Sequence, residues 1–435
     1  MIRVQEYNGE KKSILDILKG RFEIDEKYED IVKEILQNVN KNKEEAILEY
    51  THKFDSKTFT KQDIKVTEEE IKKAYENVDD DFLVAIKKAK ENITRFHSKQ
   101  KRNSWMSYED NGATLGMKIT PINRVGLYVP GGQGGKTPLV SSVLMNGVPA
   151  QIAGVRELVL VTPPNSQNKI NSELLVTADI IGITEIYKMG SAWGIGALAY
   201  GLEETGLKPV NKIVGPGNIF VTVAKKMLYG KIDIDMVAGP SEILIIADDN
   251  ANPKFLAADL LSQAEHDPMA AAILLTTSKK VAMEVKEELV IQLDKLDRKE
   301  IAQKSIEDNS LIVIVNKLEE AFELSNEIAP EHLELEIENP FESISKVENA
   351  GAIFLGQYTP EPVGDYFAGP NHVLPTNMTA KFYSPLNVDD FIKRTSILHY
   401  PKELLLKEAN HIIKIAEVEG LGAHANSIRV RQEEK

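Results

Sequence analysis

Four of the eight histidines lie in short polar segments whose residue types suit a metal ion and proton transfer. The segments are Ser262 to Pro268, Ala329 to Leu333, Pro362 to Tyr366 running on to Asn371 and His372, and Glu419 to His424. The chain has no cysteine. A zinc ion would therefore need imidazole, carboxylate or amide oxygen, and a covalent step through a thiolate is closed. A helix is predicted from Pro253 with Asn252 as its cap, which sets Gln263 and His266 one turn apart on one face. A histidine at a helix end most often only complements the helix dipole. Its coincidence with Gly364-Asp365 and Ala423-His424, turn-associated oxygen and nitrogen donors, favours a shared ligand. Glu331 and His332 follow Pro330 at an expected helix start. They read as a base pair, a carboxylate to activate water and an imidazole to take a proton from an alcohol. A glutamate there for purely electrostatic reasons is the competing reading.

The glycine-rich segments are less specific. Gly131 to Thr137 follows a predicted strand, but three residues separate Gly131 from Gly135-Lys136-Thr137 where a phosphate cradle needs four, and Pro130 stands one position earlier. A nucleoside triphosphatase is therefore disfavoured. Gly194 to Ala199 resembles a dinucleotide fingerprint, yet it lies several residues past its strand, with no acidic residue about 20 positions on to hold a ribose. Small residues there equally let a helix pack closely on a sheet. Gly215 to Asn218 and Ala238 to Glu242 each end a strand-like run, where open α/β sheets place their ligand crevice.

The elements that must position these groups fall into three stretches. Residues 10 to 100 read as helices: Tyr28, Ile31, Val32, Ile35, Leu36 and Val39 keep a 3.6-residue period after Asp25 and Glu26, and Thr67 to Glu70 forms a capping box. His52 and His97 in this stretch read as surface or packing residues. From Val125, short β-rich runs alternate with helical stretches: Val125 to Val129, Leu158 to Thr162, Glu185 to Met189 and Lys212 to Val214, then Ile243 to Ala247, Ala272 to Thr276, Leu311 to Val315 and Ala352 to Leu355. Alternation of this kind predicts parallel sheets covered on both faces, and two series predict two α/β modules. After Pro385 the chain reads as mostly helical and ends in a short run, Ser427 to Arg431.

Length and composition fit this plan. At 435 residues, 42% hydrophobic and 27% charged, the chain suits a globular protein of two or three domains. No apolar run approaches the roughly 20 residues that span a bilayer, and Met1 to Glu10 lacks the apolar core of a secretory signal, so a cytoplasmic location is expected. A net charge of −14 argues against nucleic acid and anionic membranes as partners.

Taken together, the segments resemble the histidinol dehydrogenases of histidine biosynthesis. The match runs from about Val125 to Arg431 through Gly126 to Gly132, Ser142 to Met145, Gly215 to Asn218, Ala238 to Glu242, Ser262 to His266, Pro330 to Leu333, Gly364-Asp365, Asn371 to Thr376 and Ala423 to Ala425. The resemblance implies NAD-dependent oxidation of L-histidinol through L-histidinal to L-histidine, with two NAD and one water. It implies one zinc per subunit bound by Gln263, His266, Asp365 and His424, with the substrate's nitrogens completing the shell. Glu331 and His332 fall on the family's acid/base pair, Ser241 and Glu419 on substrate contacts, and Tyr128 and Asn218 on residues that hold NAD. Members are homodimers whose C-terminal segment crosses over, so Glu419 and His424 would complete the neighbour's site. The implied plan is a helical part, residues 1–127, packing with 242–386, an inserted cofactor domain at 128–241, and a crossing tail at 387–435, with two Rossmann-like parallel-sheet modules. Two departures fall on the cofactor side. Trp193 stands where the family usually has a cofactor-contacting glutamine, and its indole is suited to stack on a cofactor ring. The loop from Gln133 to Val140 is a few residues longer than the common pattern. Without a cysteine the aldehyde must be hydrated before the second hydride leaves. Oxidation of another small alcohol, zinc hydrolysis without NAD, and a non-enzymatic assembly role are the alternatives, in descending order.

Overall fold

The computed structural model describes residues 1–19, 26–131 and 138–433. Asp25, Gly132 to Thr137 and most of the long loop from Gln133 lie outside the described residues. Two compact units are present: residues 1–100 with 122–390, and residues 101–121 with 391–435.

The larger unit holds two parallel sheets. In the first, five strands run in the order Glu185–Lys188, Glu157–Thr162, Arg124–Tyr128, Lys212–Val214, Asp233–Ile234. Numbered along the chain this is 3-2-1-4-5, an order that reverses beside Arg124–Tyr128 and opens a crevice at the carboxyl end of that strand. The second sheet has six strands, Arg3–Glu6, Leu311–Ile314, Ala271–Thr276, Glu242–Ala247, His332–Glu336, Ala352–Leu355, again all parallel. Setting aside the edge strand Arg3–Glu6, its order is also 3-2-1-4-5. All eight sequence-predicted strands are present, and the shared order agrees with two α/β modules. The central strands read as continuous apolar runs because both faces are covered; Ile243, Leu244, Ile245 and Ile246 are fully buried.

The N-terminal helices serve as scaffold. The stretch Glu26–Phe54 is helical with a break at Lys43 (φ 48°, ψ −122°), and it buries Val32, Ile35, Leu36 and Val39 as the period predicts, while Ile31 is exposed. The predicted capping box forms: Thr67 Oγ1 accepts from the Glu70 amide at 3.2 Å, and Glu70 Oε2 accepts from the Thr67 amide at 3.0 Å. His97 is buried beside Gln100 (2.7 Å) and His52 is bonded to the Phe59 carbonyl (2.6 Å), so both are packing residues. The fingerprint-like glycines serve packing as well. A Cβ on Gly194 would stand 3.1 Å from Val161, and one on Gly196 3.2 Å from Leu36, so their helix, Ser191–Tyr200, is pressed between the sheet and the Glu26–Phe54 helix.

Three sequence expectations are corrected. Glu331 and His332 do not start a helix: His332 opens the buried strand His332–Glu336, where alternating carboxylates had masked a β pattern that leaves Leu333 and Leu335 on the opposite face. Ala238 to Glu242 does not directly end a strand: it lies beyond Asp233–Ile234, links the two sheets and feeds into Glu242–Ala247, although Ala238, Gly239 and Ser241 do line a cavity, as expected of a ligand crevice. Ser427 to Arg431 belongs to the helix Gly422–Glu433. The smaller unit also contains an antiparallel sheet that the sequence reading missed, Ile392–His399, Thr114–Pro121 and Trp105–Tyr108 in that order. Among the described residues no helix is long and apolar enough to cross a membrane.

Candidate active site

A cavity of about 190 Å³ gathers most of the chemistry-bearing residues of the larger unit. Its walls come from two opposite sheet edges. The carboxyl edge of the five-stranded sheet contributes Gly215, Asp235 and the Ser141-Ser142 helix start. The amino edge of the six-stranded sheet contributes Ser241, Gln263, His266, Glu331 and His332, and the segment that follows the strand Ala352–Leu355 contributes Glu361, Asp365 and His372.

Each of these side chains is placed by local structure. Asn252 caps the helix Pro253–Ala264 through a 3.0 Å bond from the Lys254 amide, and Pro253 takes the first turn. The helix ends at Ala264, but the His266 amide still bonds the Gln263 carbonyl at 3.2 Å, which keeps the two side chains one turn apart. Asp365 sits in a short π-helical turn, Gly364–Ala368, a local widening often found at functional sites. His372 Nδ1 bonds the Asp365 carbonyl at 3.1 Å and holds that turn. Gly215 occupies φ +117°, and a Cβ there would fall 2.0 Å from the Tyr128 carbonyl oxygen, so only glycine lets these strand ends meet. Its amide donates to Asp235 (2.7 Å), its carbonyl accepts from Lys225 (2.9 Å), and Lys225 and Asp235 form a buried ion pair.

The electrostatics converge on His332. Its Nδ1 bonds the Glu242 carbonyl at 3.0 Å, and its Nε2, 3.5 Å from Asp365 Oδ1, has no hydrogen-bond partner among the described residues. Burial works against a charged ring here, yet the carboxylates of Glu361, Glu331 and Asp365 together hold its pKa well above the ordinary histidine value. Burial pushes Glu331 up to about 8, against the charge of His332 and a 2.9 Å bond from the Glu242 amide. Burial would also raise Asp365, but its interaction with His332 outweighs that and holds it below the usual value. Burial lowers His266 and His372, which favours neutral, ligand-competent imidazoles.

The donor set fits a borderline metal ion. Amide oxygen from Gln263, imidazole from His266 and carboxylate from Asp365 line one cavity and match the ligand types zinc takes without thiolate. Among the described residues, two groups of three place ligand atoms within 4.8 Å of one another: His332, Glu361 and Asp365 at this cavity, and Asp259, Glu334 and Glu336 behind it. Glu419 and His424 are exposed, belong to the smaller unit and do not line the cavity.

The two residues carried over as NAD contacts lie at the carboxyl edge of the five-stranded sheet. Tyr128 ends its first strand, buried, with its hydroxyl accepting from the Ser191 amide at 2.9 Å. Asn218 caps the helix Ile219–Leu228 through bonds from the Phe220 and Val221 amides. Trp193 offers no surface for a cofactor to stack on. It is 4% exposed and stacks on Tyr50 and Phe54, with centroids 5.7 and 5.5 Å away. Sequence reasoning missed Glu361, Lys225 and Asp235. Only Glu361 had a signal, its spacing of one helical turn before Asp365.

The histidinol dehydrogenase family model matches residues 19–432. The chain is 52% identical over 400 residues to the histidinol dehydrogenase of Clostridium acetobutylicum, covering 92% of this chain and 91% of that protein. It is 51% identical over 425 residues to the one from Desulfotalea psychrophila, covering 98% of each. The crystal structure of histidinol dehydrogenase from Elizabethkingia anophelis superposes with a TM-score of 0.92 at 39% identity, covering 99% of this chain and 98% of that one.

Proposed function

The chain belongs to the histidinol dehydrogenase family, and from that premise we propose that its cavity oxidises L-histidinol through L-histidinal to L-histidine, using two NAD and one water. The observation that carries this reading is the convergence of Ser241, Gln263, His266, Glu331, His332 and Asp365 on one cavity.

In this proposal Gln263, His266 and Asp365 hold one zinc ion together with His424 of a second copy of the chain, and Glu419 of that copy contacts substrate. Bound zinc supplies a template for the nitrogens of the amino alcohol. The remaining steps belong to the protein. The His332 ring donates from Nδ1 to the Glu242 carbonyl, which leaves Nε2 as the position that exchanges a proton with substrate; the neutral ring accepts that proton, and the surrounding carboxylates stabilise the imidazolium that results. The ring takes the hydroxyl proton first of the alcohol and then of the hydrated aldehyde, and bound NAD would supply the hydride acceptor for each oxidation. Glu331, with a pKa pushed up to about 8, is poised to exchange a proton with water near neutral pH and so to hydrate the aldehyde. NAD would be held at the carboxyl edge of the five-stranded sheet, by Tyr128 and Asn218, where strand order reverses. The protein acts in the cytoplasm as a homodimer, and its partners are L-histidinol and NAD rather than nucleic acid or membrane.

Incubation of the zinc-loaded protein with L-histidinol and NAD tests the reading. L-Histidine is the expected product, formed only when NAD is present. Turnover without NAD would favour hydrolysis and overturn it.

A further inference from the structure

We infer that Glu361 is a positioning residue that turns the amide oxygen of Gln263 toward the metal. The inference rests on the ligand reading of Gln263 given under Proposed function. Glu361 is 2% exposed and Gln263 1%. One terminal atom of the Gln263 amide lies 3.0 and 2.9 Å from the two carboxylate oxygens of Glu361 and 3.2 Å from His332 Nδ1; only the NH₂ group can satisfy the two oxygens, while Nδ1 keeps its own proton for the Glu242 carbonyl. With the nitrogen committed to Glu361, the oxygen is left as the only donor atom the amide can offer an ion. A buried glutamine without such a partner would present nitrogen or oxygen, and the nitrogen of a neutral amide does not bind zinc.

Glu361 is itself fixed. Its backbone amide donates to Glu334 at 2.8 Å, Ser262 Oγ approaches one carboxylate oxygen at 3.5 Å, and Pro360 and Pro362 flank it at the start of a short helical turn. The same turn carries Asp365 one helical turn later, so one rigid element orients two ligands of different chemistry. Outer partners of this kind typically tune metal affinity 10- to 100-fold.

The test is zinc retention in competition with a chelator, read independently of turnover. Glu361→Ala is expected to weaken zinc binding by about 10- to 100-fold. Gln263→Glu alone sets two carboxylates against each other and should do the same. Combining Gln263→Glu with Glu361→Gln restores a donor facing an acceptor with the roles exchanged, and the double variant should bind zinc more tightly than the Gln263→Glu single, to within about threefold of wild type. A merely structural role would not yield that rescue. Wild-type affinity in Glu361→Ala, or a double variant no better than Gln263→Glu, would overturn the inference. If Glu361→Ala fails to fold, the comparison of Gln263→Glu with the double variant decides. His266→Ala and Asp365→Ala serve as controls. Retention of zinc in both would overturn the ligand reading itself, whereas loss of zinc there beside intact binding in the Glu361 variants would overturn this inference alone.

Discussion

Asp259→Asn should stabilise the protein, and by an amount that depends on pH. Asp259, Glu334 and Glu336 are buried together behind the active site, and Glu334 Oε2 and Glu336 Oε2 find no hydrogen-bond partner among the described residues. Burial pushes Asp259 from 3.8 up to about 7, Glu336 up to about 7, and Glu334 well above its ordinary value. The sign follows from linkage. A carboxyl whose folded pKa is raised contributes no penalty below its unfolded pKa; stability is lost as pH climbs from there through the folded pKa. For Asp259 the shift of about three units corresponds to about 4 kcal/mol above pH 7. The three carboxyls share this strain, so removing one should recover about 1–3 kcal/mol. Asparagine also brings a donor to the orphaned oxygens. At pH 5 only about a third of the penalty has accrued, so the gain should shrink in proportion. Thermal and urea unfolding of both proteins at pH 5 and pH 8 reads this directly. A variant no more stable than wild type at pH 8, or a gain of equal size at both pH values, would refute the reasoning.

Other outcomes follow from the site. Glu331→Gln should slow turnover about 10²- to 10⁴-fold while zinc content stays at the wild-type level, measured by steady-state kinetics beside metal analysis. Gly215→Ala places a Cβ 2.0 Å from the Tyr128 carbonyl at φ +117°, so a loss of about 3 kcal/mol or more is expected in urea unfolding. Asp365→Ala and His424→Ala should each be inactive alone. Reassorted together they should regain about a quarter of wild-type activity, since half the dimers would be hybrids with one intact site; no recovery would count against a site shared between copies.

The parallel sheets were legible in the sequence because strands buried on both faces must be apolar along nearly their whole length, and Ile243 to Ala247 and Ala272 to Leu275 are. His332 to Glu336 was not, because its three polar residues face the site and the carboxylate cluster; function overrode the local pattern. The antiparallel sheet of the smaller unit was hidden for another reason. Trp105–Tyr108 and Ile392–His399 are mostly exposed and so lack a clear apolar alternation, and Ile392–His399 joins Thr114–Pro121 from a distant part of the chain, a pairing that follows from tertiary structure rather than local propensity. Gln263, His266, Glu331 and His332 announced themselves through residue type and spacing. Glu361 offered no more than its spacing one helical turn before Asp365, since a buried carboxylate that orients a neighbour carries no motif, and its role became visible only once its distance to Gln263 was known.

In the proposed reaction one cavity carries an alcohol to an acid through a hydrated aldehyde, with Glu331 and His332 moving the protons. Counting NADH formed per L-histidinol consumed, with limiting substrate and excess NAD on the zinc-loaded protein, tests it most directly. Two NADH and L-histidine as product are expected. A single NADH with L-histidinal accumulating would mean that no water is activated in the cavity, and would contradict the role given to Glu331.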